Sequence, residues 1–309
     1  MSHAITDTES LTYGKDPQVS CAPGSAVLKS RSSWGRMWAH SGARAGMLIL
    51  AAYIVCALFA PYLAPYPPDE VNLALRLVPP SIAGPHILGT DQLGRDILSR
   101  ILYGARVSIL VGLATTAISA VVGITLGMIS GYVGSTVDTL VSRASELLLA
   151  FPYLIFVIGA MSIMGPGFWN LVWALSFKGW VEFYRVARAL SMAEKQKDYV
   201  EAARGLGRPM PLILVAEILP NIQSSMLILA TMRMGNMIVM ESSLSFLGLG
   251  IPPRLPAWGS MINDGRRFLM TSWWVSTLPG VALAGLVLAM NLLGEGMRDV
   301  LDPKLVNGR

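Results

Sequence analysis

Long uncharged runs separated by short polar segments dominate the chain from residue 45 onward, and their lengths predict a helical membrane protein. The first apolar run covers residues 45–68 and the second 107–137. About 20 mainly apolar residues cross the hydrocarbon core, so the uncharged run 147–177, cut by Gly165-Pro166-Gly167, is too long for one helix. It reads as a third span plus the start of a fourth that continues to about Leu190. Residues 218–242 make a fifth and 268–294 a sixth. The expected fold is all-α with six transmembrane helices. It divides into a tail with an interfacial helix (1–45), a first transmembrane helix with an external loop (46–106), a core of five transmembrane helices (107–303) and a C-terminal tail (304–309).

Composition agrees: 53% of the 309 residues are hydrophobic, 14% are charged and mean hydropathy is +0.54, which excludes a soluble enzyme. Charge adds orientation. Lys and Arg number 14 over residues 1–45, 131–146, 188–217 and 298–309, against 7 over 66–106 and 243–267. That bias places both termini and the loop near residue 200 in the cytoplasm. Trp169, Trp173, Trp273 and Trp274 lie near expected outer span ends, where amphipathic rings sit. The net charge of +5 is thus an orientation signal and not a nucleic-acid footprint. The first 30 residues read as a disordered tail without the apolar core of a signal peptide. Trp34 to Met47 reads as an interfacial lead-in helix. Cys21 and Cys56 are too far apart in topology to pair.

Between the fourth and fifth spans lies the polar stretch Asp198-Tyr-Val-Glu-Ala-Ala-Arg-Gly-Leu-Gly207, followed by Leu219-Pro220 where the next span begins. Glu201-Ala202-Ala203 favours helix, its two alanines permit close backbone approach, and Gly207 supplies a left-handed turn. This pattern resembles the signature loop of ABC-importer permeases. The resemblance implies a short cytoplasmic coupling helix seated in a groove of an ATP-hydrolysing subunit, with Tyr199, Glu201, Ala202, Ala203, Gly207, Leu219 and Pro220 as the coupling residues. One departure is Glu217, which fills a position that is apolar in the family pattern.

Two further blocks resemble the dipeptide, oligopeptide and nickel permeases, and within them the C-type member of the pair. One runs from Gly89 to Ser108 and contains Thr90, Asp91, Gly94, Arg95, Asp96 and Arg100. Physically it reads as a helix capped by Thr90 or Asp91 and then amphipathic, with Ile97, Ile101 and Leu102 opposite Arg95, Ser99, Arg100 and Arg106. As an external interfacial motif it either anchors the protein or meets ligand. The other is Glu241-Ser-Ser-Leu-Ser-Phe-Leu-Gly-Leu-Gly-Ile-Pro-Pro253 with Ala257-Trp258-Gly259. The resemblance implies a multi-pass subunit of the bacterial inner membrane, working with a second homologous permease, two ATP-binding subunits, an extracytoplasmic solute-binding protein and the surrounding lipid. ATP and Mg would be held by the partner ATPases, and the substrate would be di- or oligopeptides, or nickel.

The chain has no Gly-x-x-x-x-Gly-Lys-[Ser/Thr] phosphate loop, no His-Glu-x-x-His and no Gly-x-Ser-x-Gly, so no catalytic, metal or cofactor site of its own is expected. Ionisable groups inside spans are costly unless they face protein or water. Arg233 and Glu241, with Met237 and Ser242 beside them, are therefore candidates for a pathway, Arg233 meeting a peptide carboxylate and Glu241 an amino terminus; the alternative is that each pairs with a neighbouring helix. Arg143 with Glu146, and Glu182 with Arg185, are spaced as helix-surface pairs. Met232, Met234, Met237 and Met240 read as flexible packing, with a metal route as the alternative. Gly123, Gly127 and Gly131 predict a close helix contact within the bundle or with the partner permease. Pro152, Pro220 and Pro279 predict kinks. A secondary transporter would carry an inverted repeat with interrupted helices, and none is visible; a receptor or structural subunit would need no pathway.

Overall fold

Proline and glycine decide where the apolar runs become separate helices. A computed structural model of the chain describes residues 38–301 apart from Ala39 and Pro253. Helix α1, Ser41–Leu58, is capped by His40, whose Nδ1 accepts from the Ala43 amide at 3.3 Å. It stops ahead of Pro61, and after the short α2, Ala60–Leu63, the chain is irregular up to Asp96 apart from one 3₁₀ turn, Leu73–Leu75. The first apolar run is therefore shorter as a helix than 45–68. Residues 34–37 of the expected lead-in helix lie outside the described residues.

Helix α3, Ile97–Val133, is a single helix of 37 residues that ends at Gly134. Helix α4, Ser135–Leu149, and α5, Tyr153–Met164, meet at an 88° bend. Pro152 enforces the bend: it lacks an amide donor and restricts the residue before it. The third span expected from residue 147 thus becomes a 12-residue helix after a break. Helix α6, Phe168–Glu194, follows the Gly165-Pro166-Gly167 cut. Then come α7, Asp198–Gly205; α8, Met210–Phe246; α9, Trp258–Gly265; and α10, Trp274–Leu301.

Among the described residues there are no strands, and four helices are long and apolar enough to cross a membrane: α1, α3, α8 and α10. The α4–α5 pair makes a fifth if its bent halves count as one span. Helix α6 spans about 40 Å at 1.5 Å per residue, but Lys178, Glu182, Arg185 and Arg188 lower its apolarity.

The core sits around α3. Its most extensive contact is with α6, and the stripe Gly123, Gly127 and Gly131 makes it. A Cβ added at Gly127 would lie 2.7 Å from both the Ala187 Cβ and the Tyr184 carbonyl oxygen, and one at Gly131 2.6 Å from the Arg188 carbonyl. The stripe is thus a contact within this chain. Small residues serve here because lipid tails give helices no hydrophobic reason to associate, so close dispersion contact must do it. Helix α10 packs on α1, α8 and α9, and Tyr53 donates to the Ala282 carbonyl at 2.8 Å. Trp258 is fully buried and its indole donates to the Ile101 carbonyl at 3.1 Å. Large apolar side chains remain on the outside, Val121 at 67%, Leu140 at 71% and Ile163 at 89% exposure, as a lipid or protein environment allows.

Trp169, Trp173 and Trp273 are exposed, but Trp274 is not: it is buried and its indole donates to the Thr90 carbonyl at 3.2 Å. The interfacial reading fails there because the 64–96 segment folds over the start of α10.

Candidate functional site

Helix α7 joins α6 to α8 and has two unlike faces. Val200 and Ala203, three residues apart, are buried against Ile213 and Tyr132. Tyr199, Glu201, Ala202 and Leu206 point outward, Leu206 with 85% of its surface exposed. The sequence stops the helix in a Schellman arrangement. Gly207 adopts φ +76°, its amide donates to the Arg204 carbonyl at 3.0 Å, and the Arg208 amide donates to the Ala203 carbonyl at 3.2 Å. At the N-terminal side, Lys197 pairs with Glu194 at 2.7 Å and the Tyr199 hydroxyl donates to the same carboxylate. Burial, and then this hydrogen bond, push the Tyr199 phenol up to about 12, so it stays a donor at neutral pH.

Regular α-helix in α8 starts at Leu219-Pro220, as the sequence suggests, although the helical run already begins at Met210. The dipeptide lies just after a π-helical turn, Leu214–Ile218. Pro220 cannot donate to the Ala216 carbonyl and its ring crowds that oxygen. The wider turn relieves the crowding, and Asn221 Nδ2 donates to the Glu217 carbonyl at 2.6 Å. Glu217, the departure from the family pattern, forms an ion pair with Arg208 and so ties the α7–α8 turn to α8.

At the opposite end of α3, the Gly89–Arg100 block is a buried turn. Gly89 and Gly94 adopt φ +79° and +73°. The expected cap at Thr90 or Asp91 is corrected: Asp96 caps α3, its Oδ2 accepting from the Ser99 amide and hydroxyl, both at 2.8 Å, while Oδ1 meets His86 Nδ1 at 2.9 Å. Asp91 accepts from the Leu93 amide at 2.8 Å, the Arg95 amide at 3.0 Å and Arg95 Nε at 2.6 Å, and lies 3.8 Å from Arg100 Nε. Arg95 also reaches Asp264 at the end of α9, 3.5 Å away. Thr90 donates to the Leu75 carbonyl at 2.5 Å. Most of the supposed polar face of an interfacial helix is therefore interior: Arg95, Ser99 and Arg100 are all buried, because the 64–96 segment covers them, while Arg106 is exposed as expected. Removing one partner from such a cluster leaves a buried charge unmatched. Asp91→Asn is expected to cost about 3–5 kcal/mol, read as a lower unfolding temperature of the detergent-purified chain; an unchanged temperature would show that Arg95 and Arg100 do not need it.

Within the helix bundle, Arg233 on α8 forms an ion pair with Glu182 on α6, which corrects the expected Glu182–Arg185 pair; Arg143 with Glu146 is present at 2.9 Å. Glu241 is fully buried and accepts from Ser245 at 2.8 Å, Ser108 at 3.1 Å and Ser242 at 3.2 Å. It ties α8 to α3 inside this chain through Ser108, and Ser242 and Met237 are buried as well, so none of the three presents a surface to solute. Of Met232, Met234, Met237 and Met240 on α8, Met232 alone is exposed. Sequence reasoning left Lys178 without a role: it is 5% exposed, donates to the Phe151 carbonyl freed at the Pro152 break, and lies 5.7 Å above the Tyr153 ring. Among the described residues, no group of three His, Cys, Asp or Glu could hold a metal ion.

Residues 123–307 match the family model described as a binding-protein-dependent transport system inner membrane component. Residues 30–80 match that of the N-terminal TM domain of oligopeptide transport permease C. The chain is 39% identical over 278 residues to the di/tripeptide transport system permease protein DppC of Pseudomonas aeruginosa, covering 89% of this chain and 92% of that one. It is 40% identical over 278 residues to the dipeptide transport system permease protein DppC of Escherichia coli K12, covering 88% and 92%. With that of Haemophilus influenzae it shares 37% over 276 residues, covering 88% and 94%.

Proposed function

The chain belongs to the binding-protein-dependent transport system inner membrane components, and from that premise we propose that it is the C-type permease of an ATP-driven peptide importer in the bacterial inner membrane. With a second, homologous permease it forms the pathway for di- or oligopeptides, the class of solute in the names of its relatives. The chain performs no covalent chemistry; ATP and Mg are held by two partner ATPases, and a solute-binding protein delivers peptide from outside. Six helices cross the bilayer: α1, α3, the α4–α5 pair, α6, α8 and α10. The Lys and Arg bias favours both termini and α7 on the cytoplasmic side.

The observation that carries this reading is α7. Its apolar face is committed to the bundle through Val200 and Ala203, while Glu201, Ala202 and Leu206 project outward. That is the form of a helix laid into another protein's groove, with Leu206 as the apolar anchor and Glu201 available to a basic group. Closure of the ATPases on ATP would pull α7, and α6 and α8 with it, as a rigid body that turns the pathway from inward- to outward-facing. Co-expression with the partner permease, the ATPases and the binding protein, followed by reconstitution in lipid vesicles, should give recovery of all membrane components on this chain and ATP-dependent uptake of dialanine. A chain recovered alone, or vesicles that import no dipeptide although the complex is whole, would refute the assembly or the substrate class respectively.

A further inference from the structure

The Glu182–Arg233 pair sits where a charge is hardest to keep. Glu182 is about 20 Å from either end of α6, and Arg233 about 20 Å from the Phe246 end of α8, at 1.5 Å per residue. Neither is sealed: the Arg233 side chain keeps 31% of its surface exposed and Glu182 36%. A half-exposed ion pair at that depth cannot face lipid, where each charge would lose its hydration without replacement. The face that carries it must meet water or protein. Arg100, Lys178 and Glu241, by contrast, are all buried in this chain.

The pair also bridges two helices rather than stapling one. Helices α6 and α8 each contact α3 more extensively than they contact each other. They are also the two helices that α7 joins. Any displacement of α7 therefore acts directly on the spacing between the carboxylate and the guanidinium.

Resting on the peptide-importer reading above, we propose that Glu182 and Arg233 form a split site for the two termini of a zwitterionic peptide, Glu182 taking the ammonium group and Arg233 the carboxylate. Without peptide, the two charges satisfy each other. A short peptide supplies each with the same type of partner, so parting them costs little electrostatically, whereas an uncharged solute offers no such exchange. Arg233 suits the role because its planar fork matches a carboxylate in two hydrogen bonds.

The test uses the complete reconstituted transporter with its own binding protein and compares uptake of Ala-Ala, Ala-Ala amide, which lacks the carboxylate, and N-acetyl-Ala-Ala, which lacks the ammonium group. Each rate is taken relative to the wild-type complex, so the preference of the unchanged binding protein cancels. Arg233→Gln is expected to lower Ala-Ala uptake about tenfold more than uptake of the amide, which has no carboxylate to lose; Glu182→Gln is expected to lower Ala-Ala uptake more than that of N-acetyl-Ala-Ala by a similar factor. Equal losses for all three peptides, or no loss, would show a structural pair and overturn the proposal. If a lone charge prevents assembly, Glu182→Gln with Arg233→Gln removes both; the site then predicts poor uptake of all three peptides in a complex recovered in normal amount, and wild-type uptake overturns it. Failure of the wild-type vesicles to import any dipeptide would instead count against the peptide-importer reading.

Discussion

Replacing Gly207 by Val is expected to reduce ATP-dependent peptide uptake by more than about tenfold, the effect of losing about 1.4 kcal/mol or more of productive docking. Space is not the reason, since a Cβ at this position would meet nothing within 4 Å. The reason is the backbone. At φ +76° an L-residue pays about 1–2 kcal/mol, and a β-branched one is a stronger outlier. Relief requires leaving the left-handed region, which removes the Gly207–Arg204 and Arg208–Ala203 hydrogen bonds that end α7. Leu206 and Glu201 would then lose their fixed positions. Two companion substitutions separate this from a general fault. Gly207→Asn should keep most of the activity because Asn tolerates the left-handed region. Gly205→Ala should be close to wild type, having neither positive φ nor a neighbour within 4 Å. Loss of uptake in all three variants, or in none, would refute the capping argument. Recovery of the chain from the membrane should be unchanged throughout, because α7 lies outside the apolar spans.

The second large effect lies in the α3–α6 contact. Gly127→Leu would drive a side chain into the backbone of α6, where the nearest atoms, the Tyr184 carbonyl oxygen and the Arg188 amide nitrogen, stand 2.7 and 2.9 Å from the added Cβ. A flexible side chain could yield; these backbone atoms cannot. The two helices must separate, at a cost of about 3 kcal/mol or more, and the gap would also release Gly123 and Gly131 from their contacts. The expected result is a chain that aggregates or unfolds at markedly lower temperature in detergent. Gly159→Leu, on α5 with nothing within 4 Å of its Cβ, should leave the unfolding temperature nearly unchanged. Equal unfolding temperatures for Gly127→Leu and wild type would show that the helices are not in this contact in the membrane.

Features set by one stretch of sequence were readable in advance. The glycine stripe declares a close contact by its four-residue repeat, and Asp198–Gly205 declares a short helix by its composition and its terminal glycine. Partners far apart in sequence were not readable. Spacing of three pointed Glu182 at Arg185, yet the carboxylate finds Arg233, on another helix, because their axes lie side by side. Arg95 and Arg100 look like the wet face of an amphipathic helix until the irregular segment 64–96 closes over them and Asp264 arrives from α9. Two of the serines around Glu241 were legible in its own helix, at one and four residues' spacing, but Ser108 comes from α3. The break at Pro152 was expected only as a kink; that it turns the chain by 88° and frees the carbonyl that Lys178 occupies depends on how α5 packs on α6.

The π-helical turn at Leu214–Ile218 also fixes an azimuth. Such a turn is an α-helix with one residue inserted, and each residue of an α-helix advances the chain by about 100° around the axis. Everything beyond Leu219 is therefore rotated by about that angle relative to an uninterrupted helix. Arg233 lies beyond it. A sequence one residue shorter at this turn would remove the bulge, restore the crowding at Pro220, and aim Arg233 away from α6, so that Glu182 would face the same surface alone.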